Sequence, residues 1–175
     1  MRLKRLGHVL LRVADFERSK AFYTDVLGFQ VVEEDPKLRE AFLSLGEDFH
    51  NLDVMQHPNP DSVQRPRRDQ VGLVHIAFRV ESYAALREAY VGLQQHGVEI
   101  DHASDHVNQR SIYFQDPDGN GLEIYYERPD AFELFAGNRR GDMDEELPLS
   151  RPGEPPPDWL LEEWPRSGVA ATGTG

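Results

Sequence analysis

His8-Val-Leu-Leu-Arg-Val13 and His75-Ile-Ala-Phe-Arg-Val80 repeat one pattern, His-x-x-x-Arg-Val, at an interval of 67 residues. Each copy reads as a short strand. After the first copy, Asp15 is a helix N-cap type, and Phe22, Tyr23, Val26 and Leu27 share one helical face. Gly28 stands where a left-handed residue ends a helix. Strands are expected at Phe29–Glu34, Ala41–Leu45 and Leu52–Gln56. After the second copy, Ser82 caps a helix with Leu86, Ala89, Tyr90 and Leu93 inward, and Gly97 stops it. Strands are expected at Val98–Asp101, Ser111–Phe114 and Leu122–Tyr126, and Asp116-Pro-Asp-Gly-Asn-Gly121 is a dense turn signal between the last two. The order is β-α-β-β-β, twice. The sequence therefore predicts an α+β fold of two tandem βαβββ modules, residues 6–57 and 71–128, in one domain over 1–128. A repeated unit that cannot bury its apolar face alone closes on its copy. The expected form is a curled mixed sheet, a half-barrel lining one cavity.

The stretch between the modules, 58–70, carries Pro58, Pro60 and Pro66 and no apolar periodicity, so it reads as loop. The tail, 129–175, is acidic and proline-rich. Composition favours a solvated extension whose last eight residues are disordered. The alternative is packing over a neighbouring subunit or the cavity mouth, with Asp158-Trp-Leu-Leu-Glu-Glu-Trp164 forming a helical turn that docks Trp159 or Trp164.

Composition narrows the function. The chain has 175 residues, 39% of them hydrophobic, and a formal net charge of −12. Nucleic-acid binding rests on Lys and Arg neutralising phosphates, so this charge argues against it. No apolar run approaches the roughly 20 residues that span a bilayer, and no signal peptide is read, so neither membrane nor export is expected. A cytoplasmic location fits. With no cysteine, disulfides, thiolate metal sites and cysteine nucleophiles are excluded.

The strands place candidate donors symmetrically. His8 and His75 open the two repeats. Leu52-Asp-Val-Met55 aligns with Leu122-Glu-Ile-Tyr125 at an offset of 70 residues, so Asp53 is the partner of Glu123. His8, Asp53, His75 and Glu123 are thus the four positions that end strands can aim into one cavity. Two histidines and a carboxylate form a face that suits Fe(II), with Mn(II) the other choice, and leaves coordination positions open.

The stretch Asp105-His-Val-Asn-Gln-Arg-Ser-Ile-Tyr-Phe-Gln-Asp-Pro-Asp-Gly-Asn-Gly-Leu-Glu-Ile-Tyr-Tyr-Glu-Arg-Pro129 resembles the signature of the vicinal-oxygen-chelate superfamily. That superfamily includes glyoxalase I, type I extradiol dioxygenases and bleomycin- or fosfomycin-resistance proteins. The likeness covers about residues 6–128 and is greatest to the short, one-domain catechol 2,3-dioxygenase-like branch. It implies that His8, His75 and Glu123 are the metal ligands. It implies that His50, just before the last strand of module one, is the acid/base. It also implies that His106 and Tyr113 contact substrate hydroxyls or oxygen. Asn51 stands where that branch usually has Asp, and Asp53 where it usually has a small apolar residue. His57, His96 and His102 match no site position and are expected in solvent, and Arg12 and Arg79 are expected in structural ion pairs.

The implied activity is Fe(II)-dependent meta-cleavage of a catechol-type diol with O2, giving a yellow ring-opened aldehyde or keto acid. A small aromatic diol and O2 are the implied partners, and a homo-oligomer is expected. Two rivals use the same fold: a glyoxalase- or epimerase-like isomerase with Asp53 as an extra carboxylate, and a non-catalytic drug-binding resistance protein. The His106/Tyr113 pair favours ring cleavage.

Overall fold

The structure, a computed structural model, describes residues 1–67, 69, 71–134 and 144–165. The expectation of disorder over the last eight residues falls outside them. The chain forms two compact units: residues 1–71 with 116–120, and residues 72–115 with 121–175.

In the first unit, β1 (Val9–Val13), β2 (Gln30–Asp35), β3 (Glu40–Ser44) and β4 (Leu52–Gln56) form one sheet in the order β1-β4-β3-β2. β1 runs parallel to β4, and the other pairs are antiparallel. The helix between β1 and β2 begins as expected: Asp15 accepts from Arg18 N, and α1 covers Phe16–Ala21. It then widens into a π-helical turn over Phe22–Val26, where a single α-helix was expected. Phe29 N reaches back to Tyr23 O across Gly28, whose φ of 76° only glycine adopts without strain. Tyr23 is fully buried, and its hydroxyl donates to Asp116 Oδ2 at 2.9 Å. Asp116 also accepts from the backbone N–H of Asp118 and Asn120 and from the Asn120 amide. Asp118 accepts from Ala14 N, Ser19 Oγ and Arg18. The Asp-Pro-Asp-Gly-Asn segment is therefore a structural clamp on the start of α1.

In the second unit, β5 (Ile76–Arg79), β6 (Ile100–Asp105), β7 (Gln109–Gln115), β8 (Gly121–Glu127) and β9 (Glu145–Leu147) form a sheet in the order β5-β8-β7-β6-β9. β5 and β8 are parallel, the rest antiparallel. Ser82 caps α2 (Tyr83–Gln95) by accepting from Ala85 N. Leu86, Tyr90 and Leu93 are buried as expected, while Ala89 is only partly so. Gly97 takes φ 68° and Val98 N bonds Leu93 O, a helix-ending motif. That motif uses Val98, so β6 starts two residues later than the apolar pattern predicts.

The described part of the tail packs into this unit. It adds α3 (Ala131–Leu134), β9 and α4 (Asp158–Leu161). Trp159 is 5% exposed and Leu160 fully buried. Trp159 meets Tyr90 edge-on and donates from Nε1 to Pro148 O at 2.7 Å. The buried Arg110 ties the tail down further. It donates to Asp105, to the Tyr83 hydroxyl and to Trp159 O, with its guanidinium 4.9 Å over the Trp164 ring. A wholly solvated extension is thus ruled out, because the tail covers aromatic surface on α2. No helix among the described residues is long and apolar enough to cross a membrane.

Candidate active site

Register puts the polar groups of the second unit on one face. Glu123 on β8 lies opposite Tyr113 on β7 and Ala77 on β5, and Tyr113 lies opposite His102 on β6. Cross-strand partners project to the same side of a sheet. His75 stands two residues before Ala77 and so shares that side. The result is a continuous chain of close polar contacts, hydrogen-bonded at its centre and flanked by two imidazole–carboxylate pairs. His75 Nε2 is 3.0 Å from Glu123 Oε2, and the Tyr113 hydroxyl donates to Glu123 Oε1 at 3.0 Å. His106 Nε2 is 2.9 Å from the Tyr113 hydroxyl, and His106 Nδ1 is 3.0 Å from Asp144 Oδ2.

Glu123 is 3% exposed, and a buried carboxylate needs partners for its lone pairs. Gln109 Nε2 supplies one more at 3.1 Å. Burial, then the Glu123 charge, push the Tyr113 phenol up to about 12. The His102 ring stacks on Tyr113 at 4.3 Å and 9°. His102 is therefore part of this wall and not the solvated residue expected. Arg79, as expected, is in an ion pair, with Glu127 at 3.0 Å.

Close approach of backbone fixes His75. A Cβ added to Gly121 would lie 2.4 Å from Val74 O and 3.3 Å from His75 Cβ. Only glycine lets β8 begin this near to the entry of β5. The turn that carries His106 is tight as well. His106 N bonds Gln109 O, and Val107 adopts φ 69°, a costly conformation for a β-branched residue.

The first unit repeats the plan with different side chains. Asp53 on β4 lies opposite Leu10 on β1 and Phe42 on β3, with His8 two residues before Leu10. Asp53 is 2% exposed. Its Oδ1 is 2.6 Å from His50 Nδ1, and its Oδ2 is 3.8 Å from His8 Nε2. The His8 and His50 rings stack at 4.3 Å. Ligand atoms of His8, His50 and Asp53 all lie within 4.8 Å of one another, so this trio can hold a cation. A carboxylate accepts only, so Asp53 takes the Nδ1–H of His50 and leaves Nε2 free to receive a proton.

The sequence-predicted residues thus fall into two sets. His75, Glu123, Tyr113 and His106 are joined in the second unit, and His8 and His50 meet in the first. Gln109, His102 and Asp144 were not foreseen. All donors are imidazole nitrogens or carboxylate oxygens, which fits a divalent first-row ion.

Residues 5–124 match the family model described as the Glyoxalase/Bleomycin resistance protein/Dioxygenase superfamily. The chain belongs to this superfamily. Among its relatives in the glyoxalase/dioxygenase superfamily is the catechol-2,3-dioxygenase of Bacillus subtilis strain 168. It is 36% identical over 124 residues, covering 71% of this chain and 42% of that protein. Biphenyl-2,3-diol 1,2-dioxygenase 3 of Rhodococcus globerulus is 32% identical over 120 residues, covering 69% and 62%. The chain therefore spans only about half the length of these dioxygenases. The crystal structure of a glyoxalase family protein from Enterococcus faecalis superposes with a TM-score of 0.58 at 28% identity, covering 71% of this chain and 99% of that one. The superfamily takes in glyoxalases, dioxygenases and bleomycin resistance proteins and is largely enzymatic.

Proposed function

We propose that this protein is an Fe(II)-dependent extradiol dioxygenase that cleaves a catechol-type diol beside its hydroxyls. The observation that carries the reading is the chain His106–Tyr113–Glu123–His75, in which a carboxylate and an imidazole stand next to a phenol and a second imidazole. His75 and Glu123 are assigned as metal ligands on this geometry. His8 is assigned as the third on its place in the sequence repeat. A ferrous ion held by these residues would supply the redox chemistry that lets a diol react with O2.

The chain's own groups do the remaining work. His50, its Nδ1 fixed by Asp53, presents Nε2 to take the second hydroxyl proton of the diol. Tyr113 is a neutral phenol at any physiological pH, so it donates a hydrogen bond to charge growing on an organic oxygen. His106 stands behind Tyr113 and can pass a proton to it or take one from it.

The test is an air-saturated assay of the ferrous-loaded protein with catechol, 3-methylcatechol and 2,3-dihydroxybiphenyl. A yellow product with O2 uptake supports the reading, and an inert protein refutes it. One observation favours a second reading, a metal-dependent isomerase. Asp53 is a buried carboxylate 3.8 Å from His8, where an extra ligand would stand. An isomerase consumes no O2 and loses activity in Asp53→Asn together with its metal. In the ring-cleavage reading that variant keeps its iron.

A further inference from the structure

The family match ends at residue 124, yet the chain of polar contacts behind Glu123 ends on a carboxylate of the C-terminal tail. We infer that the tail completes the active site: Asp144 is a positioning residue that holds His106 in the one tautomer able to serve Tyr113. The inference rests on the ring-cleavage reading for its kinetic consequence only.

The placement comes from strand pairing. β9 adds to the free edge of β6, with Ala103 opposite Leu147, Ser104 opposite Glu146 and Asp105 opposite Glu145. One step further along the same register, residue 144 faces residue 106. His106 Nδ1 and Asp144 Oδ2 meet there at 3.0 Å, the imidazole side chain being 15% exposed. β9 is itself anchored, since the tail beyond it buries Trp159 and Leu160 and engages Arg110.

The chemistry follows from counting protons. The Asp144 carboxylate has only acceptors, so the Nδ1 facing it carries hydrogen. In the neutral ring Nε2 is then an acceptor, and the Tyr113 hydroxyl is the group 2.9 Å away. Tyr113 has one proton and two acceptors in reach, His106 Nε2 and Glu123 Oε1. Gln109 holds the same Glu123 oxygen, so that oxygen stays satisfied when the phenol turns to His106. When His106 gains a proton at Nε2, it donates to the Tyr113 oxygen and Tyr113 donates to Glu123. Asp144 therefore keeps Nε2 of the neutral ring an acceptor for the phenol, and a proton gained there reverses that bond. Without Asp144 the carboxylate that favours hydrogen on Nδ1 is gone, the neutral ring can carry it on Nε2, and the phenol keeps only Glu123 as acceptor.

The test uses the full chain with 15N-labelled histidine, read by long-range proton–nitrogen correlation in the metal-free protein, so the result is independent of turnover. In wild type, His106 shows the Nδ1–H tautomer. D144A shifts it toward Nε2–H. D144N, whose amide oxygen still accepts, stays with wild type, and E146A on the same strand changes nothing. D144S, with a hydroxyl too short to span the gap, replaces D144A should that variant fail to fold. With catechol and ferrous ion, D144A lowers kcat by about 10- to 100-fold, the range for losing a partner that orients an active-site histidine. KM changes little and D144N restores most of the rate. The same His106 tautomer in wild type and D144A overturns the proposal, as does an altered tautomer with unaltered kcat. A wild type inert toward every diol overturns the ring-cleavage reading instead, and the tautomer comparison still decides the role of Asp144.

Discussion

Tyr113 lies between a carboxylate and an imidazole, and most of what the site can do passes through that position. Its phenol is pushed up to about 12, above the value near 10 of an unfolded tyrosine. A raised acid stabilises the fold while it stays protonated. This contribution is whole below pH 10 and is lost as pH climbs from there to 12. In metal-free protein, the urea stability of wild type relative to Tyr113→Phe should fall across that window; a constant difference contradicts the assigned shift. His50 makes a second prediction. On the ring-cleavage proposal, His50→Phe removes the proton acceptor, so kcat should fall by about 10²–10⁴-fold with diol binding retained. An unchanged kcat takes His50 out of the mechanism. His8, His50, His75 and Glu123 were legible as candidates because the repeat or the family resemblance marks each of them. Gln109, His102 and Asp144 were not. Gln109 reaches Glu123 through a tight turn, His102 reaches Tyr113 through sheet register, and Asp144 reaches His106 through a strand added from the tail. None of these relations leaves a short pattern in the chain.

Among the elements, helix capping and termination follow from single residues. Asp15 and Ser82 cap, Gly28 and Gly97 terminate, and each does so with the geometry those residues favour. The π-helical turn after α1 was missed because one additional residue per turn leaves the apolar face nearly intact. β9 was missed because Glu-Glu-Leu has no strand composition, and only the free edge of β6 makes it one. The start of β8 gives the sharpest test at this scale. Gly121→Ala forces a Cβ against Val74 O and His75 Cβ, at a cost of about 1–3 kcal/mol. Chemical denaturation should show this loss, and the variant should bind iron more weakly because His75 is displaced from Glu123. Wild-type stability with wild-type iron content contradicts that role for the glycine.

For the molecule as a whole, the duplicated βαβββ plan was visible in one repeat, but the role of the tail was not. Composition is blind to burial, and the acidic, proline-rich tail hides two residues that complete a core, Trp159 and Leu160. A chain ending at residue 128 exposes Tyr83 and Tyr90 on α2 and strips Arg110 of Trp159 O and the Trp164 ring. Such a chain should unfold at clearly lower urea than the full chain. Trp159→Ala alone should cost about 3–5 kcal/mol, as large aromatic truncations in cores do. Equal midpoints for all three would mean the tail carries no stability.

The central claim is oxygen-dependent opening of a diol ring at a ferrous centre held by His75, Glu123 and His8. An oxygen electrode tests it most directly, run on anaerobically purified, ferrous-loaded protein with a panel of catechols and repeated on His75→Ala. The predicted result is about one O2 consumed per diol with a yellow product in wild type, and neither in His75→Ala. A ferrous wild type that takes up no oxygen with any diol, or a His75→Ala protein that does so at the wild-type rate, contradicts the claim.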